Sequence, residues 1–233
     1  MNSQKLWTKN FVLATLSGLF ASMVFYITMT MLAVYAVTTY HASTGIAGLV
    51  AGIFVIGGAI GRLVTGRYIE QIGKRKIMLL SGILFFAVGL VYLLPLGIVT
   101  FLVIRFLHGF AFGAFHNALS TIVVGFIPVS RRVEGIGYYS LNFTIATAIG
   151  PLVGLFFIQS FSYTAMFAAC AFFAFLAMIL AFFIQITDKV LSDEQAAKLK
   201  SNLSIKDIFE TKALPLACII FIMSMCYTGV TTF

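Results

Sequence analysis

The sequence predicts an all-α polytopic membrane protein, and three observations carry that class. Hydrophobic residues make up 61% of the 233-residue chain and charged residues only 9%, where a soluble domain carries about 25% charged. Six apolar runs, and the start of a seventh, reach or approach the roughly 20 residues that cross a bilayer. Lys and Arg, which outnumber Asp and Glu by 15 to 7, fall almost entirely in segments that alternating helices place on one side. That asymmetry is the positive-inside signature, so the net positive charge does not mark a nucleic-acid surface. The expected location is the plasma membrane, with the N-terminus in the cytoplasm.

Lys5, Trp7 and Lys9 precede a first helix over about residues 10–37, with Trp7 placed as an interfacial anchor. The run is too long for a signal peptide and has no Ala-x-Ala cleavage site. The link at 38–45 holds His41 but no Lys or Arg, as suits the outer face. A second helix over about 46–66 carries Gly48/Gly52 and Gly57/Gly61, pairs four apart that let a neighbouring helix approach closely. Arg62 lies near its inner end, where it can snorkel. Residues 61–76 then form the densest patch of charge in the apolar part of the chain. Gly66 and Gly73 there suit a tight reversal through positive φ. Glu70 lies within reach of Lys74 and Arg75 or of a helix N-terminus.

A third helix over about 77–94 ends at Pro95. The fourth, about 98–124, is the most informative, because Arg105, His108, His116 and Asn117 interrupt an otherwise apolar span. A loop at 128–134 with Arg131 and Arg132 belongs inside. The fifth helix is expected over about 137–159 and the sixth over about 163–186. These residues, 1–186, make one transmembrane unit. Residues 187–212 hold most of the chain's acids and read as a cytoplasmic linker, with a helix start at Ser192-Asp193-Glu194. A seventh apolar span begins at about 213 and runs to Phe233.

Arg on a lipid face costs several kcal/mol, so Arg105 should face protein or a watery cavity. At about 100° per residue, His116 lies about 20° round the helix from Arg105 and His108 about 60°. Gly109 and Gly113 border that face. Two readings stand for these groups: structural hydrogen bonds between helices, or a path for substrate and protons that also takes in Asn142. Cys170, Cys218 and Cys226 lie in apolar runs and read as small buried hydrophobes. No metal-ligand spacing and no nucleotide fingerprint is present, so neither metal nor cofactor is expected.

Several of these motifs resemble the major facilitator superfamily of transporters. Gly66-x-x-x-Glu70-x-x-Gly73-Lys74-Arg75 is similar to that family's loop between helices two and three, although Glu70-Gln71 stands where the family usually has Asp-Arg. Arg105-x-x-His108-Gly109-x-x-x-Gly113 resembles its helix-four motif, whose Arg is tied to proton coupling. Ala146-x-x-x-Gly150-Pro151-x-x-Gly154 matches the helix-five motif of its exporters, with a bend expected near the proline. Arg131-Arg132-x-Glu134-Gly135-x-Gly137-Tyr138-Tyr139 resembles the preceding loop of its bacterial efflux members.

The resemblance implies the six-helix N-terminal bundle of a twelve-helix fold, cut within helix seven. It also implies secondary active export of a small molecule by proton antiport, carried out as a monomer. Arg105, His108, His116, Asn117 and Asn142 would then form the substrate and proton path. Arg62, Gly66, Glu70, Gly73, Lys74 and Arg75 would form a cytoplasmic gate, and Gly150, Pro151 and Gly154 the helix-five bend. The spans contain cations but no carboxylate, which favours a neutral or anionic substrate. Proton-coupled import is the alternative within transporters, and a channel or sensor is a third reading. An intramembrane Ser/His hydrolase would need a Gly-x-Ser-Gly turn, which Ser17-Gly18 and Ser81-Gly82 do not supply.

The topology has a direct test. Single cysteines placed at Thr39, Gly97 and Ser160 should react with impermeant thiol reagents from outside intact cells. A cysteine at Lys200 should not, and its labelling would reverse the expected orientation.

Overall fold

The structure, a computed structural model, describes residues 5–186 and five helical positions beyond them, Pro215, Cys218, Ile219, Ile222 and Met223. The chain divides into two compact units, Met1–Val190 and Leu191–Phe233, and all six complete helices belong to the first. The linker expected at 187–212, the helix start at Ser192 and Cys226 lie outside the described residues. So does the seventh span, apart from those five positions.

The six helices are α1 (Lys9–Tyr40), α2 (Thr44–Ile72), α3 (Lys74–Val91), α4 (Ile98–Phe126), α5 (Arg132–Ser160) and α6 (Tyr163–Phe182). Among the described residues there is no strand. All but α3 are long and apolar enough to cross a membrane by length and composition. Thr8 caps α1 by accepting from the Phe11 N–H, and Ser162 caps α6 by accepting from Ala165.

Several expected boundaries move, and those at the charged ends move outward for one reason. At about 1.5 Å per residue a 29-residue helix is longer than the ~30 Å hydrocarbon layer, so its last turns run on through the headgroups. Charged residues there sit on helix, not loop. Gly66 is therefore inside α2 rather than at a turn, and the whole reversal into α3 falls on Gly73, at φ 99°. The third helix starts at Lys74 and ends at Val91 rather than spanning 77–94. The fifth starts at Arg132, so Glu134 and Gly135 are helical, after a single 3₁₀ turn at Val129–Arg131. The sixth stops at Phe182, short of 186. Pro151 lies within an unbroken α5.

Contacts set the arrangement. Along α2 and α4, Val50 meets Arg105, Gly58 meets Gly113, and Thr65 meets Asn117. The numbers rise together, so these helices run parallel. Ser22 meets Asn142 and Met31 meets Gly154, which makes α1 and α5 parallel too. Ser17 donates to the Ala177 carbonyl (2.7 Å) and Asn10 pairs with the Gln185 backbone, so α6 returns antiparallel along α1. α3 packs antiparallel on α4, with Gly82 against Phe115 and Tyr92 against Phe101.

The α2–α4 seam is a backbone contact. A Cβ on Gly57 would strike the Phe106 carbonyl, one on Gly61 the Phe110 carbonyl, one on Gly109 the Phe54 carbonyl and one on Gly113 the Gly58 carbonyl. Helices in lipid gain no hydrophobic drive towards one another, so association rests on this kind of close van der Waals fit. The Gly57/Gly61 pair thus makes a close helix approach. Gly48 and Gly52 do not, because a Cβ on either would meet nothing within 4 Å among the described residues. α5 uses the same device more gently: Gly150 faces the Tyr26 Cβ and Gly154 the Met31 side chain.

The seam predicts an asymmetry. Gly113→Ala should destabilise by about 1–3 kcal/mol, the usual cost of overpacking, because the atom in its way is rigid backbone. Gly52→Ala should be neutral or slightly stabilising. Thermal unfolding of both variants in mild detergent checks it.

Candidate functional site

The polar side chains of the bundle gather in three places, and two of these lie along α4. The first is Arg105. The Gly109 and Gly113 notches bring α2 against α4, and that places the guanidinium directly beside the α2 backbone. Its Nε donates to the Val50 carbonyl (3.1 Å) and its Nη1 to Thr28 Oγ1 of α1 (3.3 Å), with the Phe54 ring 4.5 Å beneath. The residue is 0% exposed. One side chain thus ties α4 to α1 and α2.

His108, one turn on, turns towards α3. Its ring stacks on Phe85 (4.6 Å between centroids) and meets Tyr92 and Phe54 edge-on. Gly89 gives it room on α3. Arg105, His108 and His116 share a broad helix face, as the periodicity requires, but they do not share surroundings.

The second place is at the meeting of α1, α4 and α5. His116 is 4% exposed and packs on Phe143 of α5 (4.5 Å), with Tyr139 beyond. Asn142 accepts from Ser22 of α1 (3.0 Å) and donates to the Tyr139 carbonyl (2.5 Å). Gly18 makes this possible, since a Cβ there would lie 3.3 Å from the Asn142 amide nitrogen. His116 Nε2 and the Tyr139 hydroxyl are buried and make no well-formed hydrogen bond, with Asn142 beside the imidazole and Ser120 beside the hydroxyl. Arg62 of α2 lies within electrostatic reach of His116, and no carboxylate does among the described residues. Two buried, unsatisfied polar atoms in an apolar bundle are expensive unless a ligand or water meets them. Asn117, by contrast, faces α2 and donates to Thr65 Oγ1 (3.1 Å), which itself donates back to the Gly61 carbonyl.

The third place is the end of the bundle where α2 turns into α3. Lys74 at the start of α3 pairs across the Gly73 turn with Glu70 near the end of α2 (3.0 Å), both half-exposed, and Arg75 Nη2 donates to the Phe182 carbonyl at 3.4 Å. A part-exposed pair of this kind contributes about 0–1 kcal/mol. Beside it a cavity of about 570 Å³ is lined by Ile69, Glu70, Gly73 and Lys74 on one side and Thr121, Gly125 and Gln185 on the other. At the neighbouring start of α5, Arg131 holds Glu134 by two hydrogen bonds (2.8 and 2.6 Å), which keeps that carboxyl below its usual range. Gly66 faces Asn117 rather than the turn, and a Cβ there would lie 3.8 Å from the Asn117 amide nitrogen.

The structure therefore separates residues that the sequence grouped. Arg105 with His108, His116 with Asn142, and Glu70 with Lys74 form distinct sites. It also adds Ser22, Thr28 and Tyr92, which the sequence reading passed over, and Tyr139, which that reading took only as the end of a loop motif. Ser22 and Thr28 were visible as hydroxyls in a helix without acids, but single hydroxyls bond their own helix so often that they carry little signal.

Comparison with known proteins bears on all of this. The family model described as Major Facilitator Superfamily matches residues 14–233. The chain is 28% identical over 114 residues to the staphylopine export protein of Staphylococcus aureus, a match covering 49% of this chain and 28% of that protein. It is 33% identical over 85 residues to YncC of Bacillus subtilis, covering 36% of this chain and 18% of that one. Among solved structures, the peptide transporter POT in complex with sulfate superposes with a TM-score of 0.72 at 15% identity. That superposition covers 94% of this chain and 46% of the transporter, so the chain spans under half the length of the solved relatives it matches.

The three-helix tie at Arg105 predicts that charge alone will not replace it. Arg105→Lys keeps the cation but lacks the planar fork that reaches Val50 and Thr28 together. It should lower thermal stability in detergent by at least as much as Asn117→Ala, which removes a single interhelical bond of about 0.6 kcal/mol. Equal stability of Arg105→Lys and the parent would contradict the tie.

Proposed function

The chain belongs to the major facilitator superfamily, a family of membrane transporters and not of enzymes, and from that premise we propose that it exports a small molecule in exchange for protons. In this reading its six helices form one bundle of an alternating-access carrier in the plasma membrane. The N-terminus and the α2–α3 turn face the cytoplasm. Two supports favour export: the likeness to an export protein, and Gly150 and Gly154 seated on α1 along the proline-bearing face of α5. The carrier works as a monomer.

One observation carries the site assignment. His116 Nε2 and the Tyr139 hydroxyl are both buried and neither makes a well-formed hydrogen bond, at the junction of α1, α4 and α5. The fixed amide of Asn142 stands beside them. A substrate with hydrogen-bonding groups meets them as the bundle opens. The charge among the described residues that reaches this region is cationic, Arg62, so a neutral or anionic substrate suits it better than a cation. Histidine is also the side chain whose ordinary pKa, near 6.5, spans working pH, which makes His116 the proton carrier in this half. Glu70, Lys74 and Arg75 act at the cytoplasmic gate, and their pairing within the bundle is one position of a latch that changes partner as the carrier turns.

The experiment is transport in proteoliposomes by the protein encoded in the native reading frame that carries this chain. His116→Gln should flatten the rate-versus-pH curve between about pH 5.5 and 7.5 while leaving expression normal. An unchanged pH profile would remove His116 from coupling. Accumulation down an imposed gradient in the direction of proton entry would make the protein an importer.

A further inference from the structure

Arg62 has no task in the packing of the bundle. It is exposed, and the two acids among the described residues, Glu70 and Glu134, pair with Lys74 and Arg131 instead. Its depth makes that costly. α2 has 29 residues and is about 43 Å long, some 13 Å more than the ~30 Å hydrocarbon layer. About 15 Å of helix separates Arg62 from the α2 end at Ile72. Even with the whole excess on that side, Arg62 starts inside the apolar layer. A cation there belongs against protein or in water, not on lipid.

The helix face narrows the choice. The other exposed or part-exposed residues within about 60° of Arg62 on α2 are Thr44, Gly48, Ala51, Val55, Ala59 and Gly66, none larger than valine. The long aliphatic residues Leu49, Ile56, Ile60 and Leu63, which suit lipid, stand about 100–160° away. Contacts between α2 and α4 fix the height. Gly61 meets Phe110 and Ala114, and Thr65 meets Asn117. Arg62 is therefore level with the turn of α4 that carries His116, and it lies within electrostatic reach of that ring.

We propose that Arg62 is the residue that recognises the substrate by charge, and that the substrate carries a carboxylate. The inference rests on the reading of the His116 junction as a transport site, and it names the class of molecule that site takes. It also moves Arg62 out of the cytoplasmic gate expected from the sequence. A guanidinium offers two parallel N–H donors that match the two oxygens of a carboxylate. A carboxylate in a low-dielectric cavity needs such a counter-charge. The other groups at the junction, the Asn142 amide, the Tyr139 hydroxyl and the His116 imidazole, supply hydrogen bonds. One fixed positive charge balances one carboxylate. A phosphate monoester, at about −1.5 to −2 near neutral pH, would leave negative charge uncompensated within the membrane. Arg62 thus selects by charge, and the His116 junction by hydrogen bonding.

The test uses the whole protein in lipid nanodiscs and needs no transport. The probes are benzoate and succinate, set against their uncharged amides, benzamide and succinamide, and against inorganic phosphate. p-Hydroxyphenylglyoxal, which modifies accessible guanidinium groups, should label Arg62, as read by peptide mass spectrometry. At least one of the two carboxylates should slow that labelling threefold or more, while the amides and phosphate should not. The same carboxylate should raise the thermal midpoint of the parent. Arg62→Gln, at an exposed position, should fold normally and need at least tenfold more carboxylate for the same rise. Arg62→Lys should fall between the two, since it keeps the charge and loses the fork. An Arg62 that resists the reagent is covered or paired in the whole protein, and overturns the proposal. Labelling that neither carboxylate slows, or that phosphate slows equally, overturns it too. Protection by a carboxylate in a protein whose rate-versus-pH curve ignores His116→Gln would uphold Arg62 and remove only His116 from coupling.

Discussion

The bundle depends on how closely α2 approaches α4. Four glycines, two on each helix, put carbonyl oxygens where side chains would otherwise stand. Such proximity lets Arg105 reach the Val50 carbonyl without extending into lipid, and it lets Asn117 reach Thr65 about three to four turns further along the seam. Polar ties in a membrane interior are individually weak, often under 1 kcal/mol. They become specific here because the backbone contact fixes the helix register first. With the register set, one face of α4 presents Arg105 and His108 to α1, α2 and α3, and another turn presents His116 to α5.

α1 holds the rest of the bundle to that seam. It runs parallel to α5 through glycine notches at 18, 150 and 154 and antiparallel to α6 through Ser17 and Asn10. Tyr35 adds ring contacts to Phe101 of α4 and to Tyr163 and Phe167 of α6 near the other end. Asn142 closes on Ser22 only because residue 18 has no side chain. The hydrogen-bonding site at His116 is therefore built by the same means as the seam. In both, small residues bring helices together and a few polar atoms are left facing inward. An alternating-access carrier needs such a bundle to move as a body, and backbone-to-backbone contact is stiff in the way that long side chains are not.

Most of the fold was legible in the sequence because lipid leaves the backbone few options. Apolar length gave the helices, and Lys and Arg gave an expected orientation across the bilayer. The errors at the charged helix ends share one physical origin. Charge marks where a helix leaves the hydrocarbon, not where it ends, so Gly66 and Glu134 read as loop and proved helical. Gly73 read correctly because a positive φ leaves glycine little competition. The periodicity placed Arg105 and His116 on one face, but it could not say that α3 turns His108 aside or that α5 receives His116. Gly48/Gly52 and Gly57/Gly61 have identical spacing and opposite fates, which spacing alone cannot distinguish. Tyr92, and Tyr139 as a polar site, stayed invisible for a related reason: a tyrosine in a membrane helix becomes a polar site only when its hydroxyl is seen to be buried.

The rigidity of the α2–α4 seam is the claim on which the account stands, and a distance measurement reaches it directly. Tyr68 on α2 and Val124 on α4 are part-exposed near the same end of the two helices, so spin labels there leave the glycine contacts of the seam in place. Pulsed electron paramagnetic resonance on the doubly labelled protein in lipid nanodiscs should give one narrow distance distribution. That distribution should be the same at acidic and neutral pH. A second population, or a shift approaching one helical turn of about 5 Å, would show α2 sliding on α4 and contradict the account.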